Sequence, residues 1–102
     1  MKLADYINSL GLGVQAETTE YGTTEIVLTD VEQDFRFEVE KASDIYSYWE
    51  DYDVDEEVEM FLEAKRNGFQ GVPTVSVLVK ECEQVDATLE ELAIKTFDFK
   101  EV

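Results

Sequence analysis

Leu3, Tyr6, Ile7 and Leu10 fall at i, i+3, i+4 and i+7 near the start of the chain, the spacing that gathers apolar side chains on one helical stripe. Gly11 and Gly13 end that stripe, so a helix is predicted over 2–10. The period then shortens. Apolar or small residues alternate with polar ones from Val14 to Thr19 and again from Thr24 to Asp30, where Ile26 and Leu28 share a face. Glu20-Tyr21-Gly22-Thr23 between them reads as a hairpin turn, with Gly22 free to take positive φ. The cleanest alternation runs from Asp34 to Glu40: Phe35, Phe37 and Val39 on one side, Arg36, Glu38 and Glu40 on the other, entered through a turn at Asp30 to Gln33. Three consecutive strands with short connections form an antiparallel meander, which can keep one face wet.

Helical spacing returns from Asp44 to Arg66, where Ile45, Trp49, Tyr52, Val58, Phe61, Leu62 and Ala64 fit two helices. Ser43 is the expected cap of the first and Asp53 or Asp55 of the second. Glu56 and Glu57 then lie where the helix dipole favours acid, Lys65 and Arg66 where it favours base, and Asn67-Gly68 closes the helix. After Gly71-Val72-Pro73, Thr74 is placed to cap a long last helix with a stripe of Val75, Leu78, Cys82, Val85, Leu89 and Leu92. Phe97 and Phe99 fit either a short closing strand or a packed tail. The expectation is one α+β domain over 1–102, ordered αβββααα: an N-terminal helix, a three-stranded antiparallel meander, and two or three helices packed on one face.

Composition changes the picture through charge. With 25 acids, 8 bases and a net charge of −17, the chain would be read as disordered if it were not also 44% hydrophobic and 12% aromatic. Folding is therefore expected, against self-repulsion. The same charge disfavours direct contact with nucleic acid or an anionic membrane and favours a basic partner. No apolar run approaches the roughly 20 residues of a membrane span, and Met-Lys-Leu-Ala-Asp-Tyr lacks a signal peptide's apolar core, so a cytoplasmic protein is expected. The single cysteine, Cys82, sits on the apolar stripe and reads as core.

The strongest local feature is Glu50, Asp51, Asp53, Asp55, Glu56, Glu57, Glu59 and Glu63, eight acids among fourteen residues, inside a span without Lys or Arg from Ala42 to Ala64. Like charges on neighbouring helical positions repel by a few tenths of a kcal/mol. The blander interpretation is a solvated face that keeps the protein soluble, for which ~2 to 8 net charges usually suffice. The excess favours carboxylates that stand in for phosphates, and these eight acids are the candidate partner-binding patch. Glu17, Glu25, Glu38 and Glu40 would add acid on the wet face of the sheet, with Arg36 offsetting their repulsion. Tyr46 and Tyr48 join the candidate patch as exposed aromatics, whereas Trp49 fits the core.

Other chemistry has little support. Asp51, Asp53 and Asp55 match the first ligands of an EF-hand loop, but its sixth position is Glu56 rather than Gly and its twelfth is Leu62 rather than Glu. No metal or cofactor is expected beyond a weak, nonspecific divalent affinity. The absence of His, of a Ser-x-x-Lys motif, of a glycine-rich phosphate loop and of a Cys pair argues against an enzyme.

This charge pattern resembles that of small antirestriction and anti-CRISPR proteins of phages and conjugative elements, some of which imitate DNA with carboxylates. The stretches 52–59, 63–68 and 71–73 are also similar to small acidic proteins of bacterial mobile elements. The resemblance implies host-defence inhibition, by occupying the DNA channel of a restriction or CRISPR nuclease, and transfers no functional residue. The competing expectation is an interaction module or assembly subunit whose acids serve solubility alone.

Overall fold

The structure is a computed structural model that describes residues 1–71 and 73–100. It has the expected order: α1 (Leu3–Ser9), β1 (Val14–Thr18), β2 (Thr24–Leu28), β3 (Phe35–Val39), α2 (Ser43–Asp51), α3 (Val54–Arg66) and α4 (Val75–Thr96). The strands form one antiparallel sheet in the order β1-β2-β3. Alternation decides its faces: Val14, Ile26, Leu28, Phe37 and Val39 point inward and are buried with Leu3 and Ile7 of α1, Ile45 of α2 and Val85, Leu89 and Leu92 of α4. Burying a side chain of this size contributes about 1.5–3 kcal/mol, which is what offsets the charge.

Helix α1 ties down the β1 edge of the sheet and the end of α4. The side chain of Asn8 acts as a substitute strand: its Nδ2 donates to the Ala16 carbonyl and its Oδ1 accepts from the Ala16 N–H, each at 2.8 Å. That covers part of the β1 edge, which would otherwise offer unpaired backbone groups. Tyr6 donates its hydroxyl to the Lys95 carbonyl at 2.8 Å and stacks on Phe99 at 4.7 Å. Phe99 is thus part of a packed tail, and among the described residues no closing strand forms after α4.

Three local expectations need correction. Ser43 does not cap α2: Ala42 holds the N-cap position, and Asp44 instead reaches back to accept from the N–H groups of Glu40 and Lys41, each at 3.1 Å. Thr74 occupies the N-cap of α4 without a capping hydrogen bond from its side chain. Val75 lies on the stripe of α4 but is exposed, because the core ends before the first turn of that helix. Val72, within the Gly71-Val72-Pro73 boundary, lies outside the described residues.

The domain is long, 48 × 26 × 21 Å, with a radius of gyration of 14.7 Å against ~13 Å for a compact chain of this length. The least embedded element is α3. Its main packing partner is α4, and none of its thirteen residues is buried.

Candidate functional site

The register of the sheet places Glu17 opposite Glu25, and Glu25 opposite Glu38. Three carboxylates therefore stand side by side across the outer face. Thr29 and Thr19 of the first hairpin bond to Gly13 and Thr23, so Glu17 and Glu25 form a hydrogen-bonded pair. By alternation, Glu25 and Glu38 form a pair of the other kind, in which side chains stand closer. Opposed like charges destabilise a sheet, and the nearby base compensates little. Arg36 is held by Asp34 at 2.8 Å and reaches Glu25 at only 3.7 Å. The Asp34 carboxylate raises the Arg36 pKa further. Glu38 also accepts from the Thr23 hydroxyl.

From Glu38 the acid continues onto α2. A shallow groove of about 440 Å³ runs between β3 and that helix, lined by Glu38, Glu40, Asp44, Ser47, Tyr48 and Asp51. The ring of Tyr48 lies 4.5 Å from that of Phe37, tilted by 32°, and the residue remains exposed. Tyr46 is exposed too and meets Trp49 and Phe97 edge-on, at 5.5 and 6.4 Å. The two tyrosines therefore serve different sides of α2, and only Tyr48 borders the acidic groove.

The eight acids of 50–63 do not share one surface. Glu50 and Asp51 end α2. Asp53 is the N-cap of α3, where one oxygen accepts from the N–H groups of Asp55 and Glu56 at 2.9 and 3.2 Å, as a capping aspartate should. Asp55, Glu56, Glu59 and Glu63 are exposed, and the helical repeat gathers them on the side of α3 away from α4. Glu59 is paired with Arg66 at 2.6 Å. Glu57 turns the other way, half-buried, and lines a second groove with Phe35, Arg36, Phe37, Tyr48, Asp51 and Tyr52. Asp51, Asp53 and Asp55 make no ligand cage: among the described residues no three carboxylate, thiol or imidazole groups converge as a metal would require.

Sequence reasoning missed Asp44 as a member of the acidic groove, although it is the first-turn acid of α2. It left Glu17, Glu25, Glu38 and Glu40 outside the candidate patch, because the alignment of the three strand glutamates depends on register. Beneath the groove, Tyr52 meets Phe35 edge-on at 5.9 Å. Burial raises its phenol pKa well above the usual value, with the Cys82 thiol a further contribution. Burial likewise raises the Cys82 thiol, and Cys82 is core as expected.

No protein-family model, curated protein or solved structure matches the chain. Function must be argued from this surface. Its contrast with the opposite side is informative: the exposed face of α4 mixes Glu83, Glu90 and Glu91 with Lys80 and Lys95, the composition of an ordinary solvated helix. No helix among the described residues is long and apolar enough to cross a membrane.

Proposed function

We propose that this protein is a non-enzymatic inhibitor or regulator that binds a basic nucleic-acid-binding protein, such as a restriction or CRISPR nuclease, by offering carboxylates in place of phosphates. The observation that carries the reading is the acid that runs from Glu17, Glu25 and Glu38 through Glu40, Asp44 and Asp51. Strands lie ~4.8 Å apart, so the glutamate row repeats negative charge on the scale of the ~3.4 Å per phosphate along one DNA strand. The row is maintained against its own repulsion, which solubility alone does not require. Direct nucleic-acid or membrane contact is disfavoured by the same charge, and the reading places the protein in the cytoplasm.

The test is retention of proteins from a bacterial lysate on the immobilised domain, eluted with salt and compared with a charge-matched acidic control. Selective capture of one DNA-binding protein, released by competing DNA, is the expected result. A binding constant indifferent to salt, or capture equal to the control, would refute the electrostatic mechanism. One observation favours the second reading, an interaction module with acids for solubility: α3 leaves an apolar flank uncovered. In that case Gln at positions 17, 25 and 38 would leave partner binding intact.

A further inference from the structure

An amphipathic helix in a folded domain ordinarily buries one face completely, and α3 does not. Met60 is 62% exposed although it follows the apolar spacing Met60, Phe61, Ala64. The end of the helix adds a fourth apolar group. Phe69 donates its N–H to the Ala64 carbonyl at 3.0 Å and Gly68 to that of Lys65 at 3.1 Å, with Gly68 at φ +90°. This is a Schellman cap, which brings the residue after the glycine back over the last turns. Phe69 is thereby set against Ala64 while still 65% exposed.

The result is an open groove of about 260 Å³ lined by Glu57, Met60, Phe61, Ala64 and Phe69. It is smaller than the ~300–1,000 Å³ of small-molecule sites and lacks their convergent polar groups, so its size suits a single side chain. Its rim is acidic. Glu56 and Glu63 stand one turn to either side of Met60 on the helix, and Glu57 lies in the lining itself. A second copy of the chain fits poorly, because two-fold antiparallel pairing of α3 about Met60 would set Glu56 of each copy against Glu63 of the other.

We propose that this groove receives an apolar anchor side chain carried on a basic amphipathic helix of the partner, with the Lys or Arg residues beside that anchor meeting Glu56, Glu57 and Glu63. The proposal rests on the basic-partner reading above and adds the element that separates one basic protein from another. Long-range charge speeds encounter and sets salt dependence, whereas a few buried apolar anchors carry most of the discrimination. Methionine suits such a floor because its side chain repacks easily.

Two synthetic peptides of equal charge test it, one with leucine along one helical face and lysine elsewhere, the other with serine replacing every leucine. Each is titrated into the isotopically labelled full chain at 0.15 M salt. The leucine peptide is expected to bind at least about ten-fold tighter, the yield of burying one such side chain, and to shift the amide signals of Ala64 and Phe69. Met60→Ser and Phe69→Ser, both at exposed positions, should keep the melting temperature, abolish the ten-fold advantage and leave the serine peptide unaffected. Equal affinities, or an advantage that survives in the double variant, would overturn the proposal. Sedimentation that finds a dimer dissolved by Met60→Ser would overturn it too, assigning the groove to a second copy. Failure of DNA to displace the lysate partner would defeat phosphate mimicry alone, since the leucine advantage is measured without nucleic acid.

Discussion

Glu25 lies between two like charges, so the sheet should become more stable when Glu25 is neutralised. In Glu25→Gln the side chain keeps its shape and its hydrogen-bonding oxygen, but the contacts with Glu17 and Glu38 lose their repulsion. At ~0.5 kcal/mol for each opposed pair the relief is about 1 kcal/mol. The lost contact with Arg36, a solvent-screened 3.7 Å approach by a guanidinium already held by Asp34, returns part of that. A net gain of about 0.5 kcal/mol is expected, or ~2–4 °C in Tm for a domain of this size. Urea unfolding and thermal melts at low salt measure it. The gain should fade in 1 M salt, where screening acts over ~3 Å. A Glu25→Gln protein that is less stable than the parent at low salt would show that Arg36 neutralises the row, and the argument that the row is kept at a cost would collapse.

Three further outcomes follow from local geometry. Asp53→Ala should cost about 1 kcal/mol by removing the cap of α3, and Asp53→Asn much less; melts of the two separate the cap from the charge. Gly68→Ala should cost about 1 kcal/mol because φ +90° is strained for any residue with a Cβ, and it should weaken the leucine-peptide advantage by loosening Phe69. For Tyr52 the folded state holds the proton more tightly than the unfolded chain, so its contribution is intact below pH ~10 and is lost as pH rises from there toward the higher folded value. Stability measured across that range should fall less steeply in Tyr52→Phe, and equal slopes would place the phenol in water.

The fold was legible because the two periodicities are unmixed. Ile26 and Leu28, or Phe35 and Phe37, alternate without interruption, and Leu78, Cys82, Val85, Leu89 and Leu92 step by three and four, so all of them except the half-buried Phe35 are core. Caps were less legible because backbone carbonyls can take the N–H groups a cap would satisfy: those of Asp44 and Ile45 donate to the carbonyls of Lys41 and Ala42, and Ser43 is already helical. The carboxylate of Asp44, in the first turn of α2, is spent on the N–H groups of Glu40 and Lys41 ahead of the helix. The acidic surface was hardest. Eight clustered acids in the sequence look like one patch, but a helix distributes consecutive residues around its axis, so Glu57 parts from Glu56. Glu17, Glu25 and Glu38 are far apart in sequence and adjacent only through pairing. Met60 carried a signal that was not used, since it falls outside the α4-facing spacing of Val58, Phe61 and Leu62.

Screening gives the net charge of −17 a limited meaning. At physiological salt a charge is felt over ~8 Å, well short of the 48 Å long axis and of the 21–26 Å across the domain. Acids on the outer face of α4 are therefore nearly invisible to a partner seated on the outer face of the sheet, because the thickness of the domain separates them by more than a screening length. Two variants with the same change in net charge separate the ideas: Glu17→Gln with Glu38→Gln on the sheet, and Glu83→Gln with Glu90→Gln on α4. If the sheet row stands in for phosphates, the first pair weakens binding of the retained partner by about ten-fold at 0.15 M salt, from two lost solvent-exposed charge contacts of about 0.7 kcal/mol each, and the second leaves it within about two-fold. As salt is lowered toward 0.01 M and the screening length grows to ~30 Å, the second pair should begin to matter. Equal losses from both pairs at 0.15 M salt would mean that the partner responds to total charge, and the carboxylate row would then have no special standing.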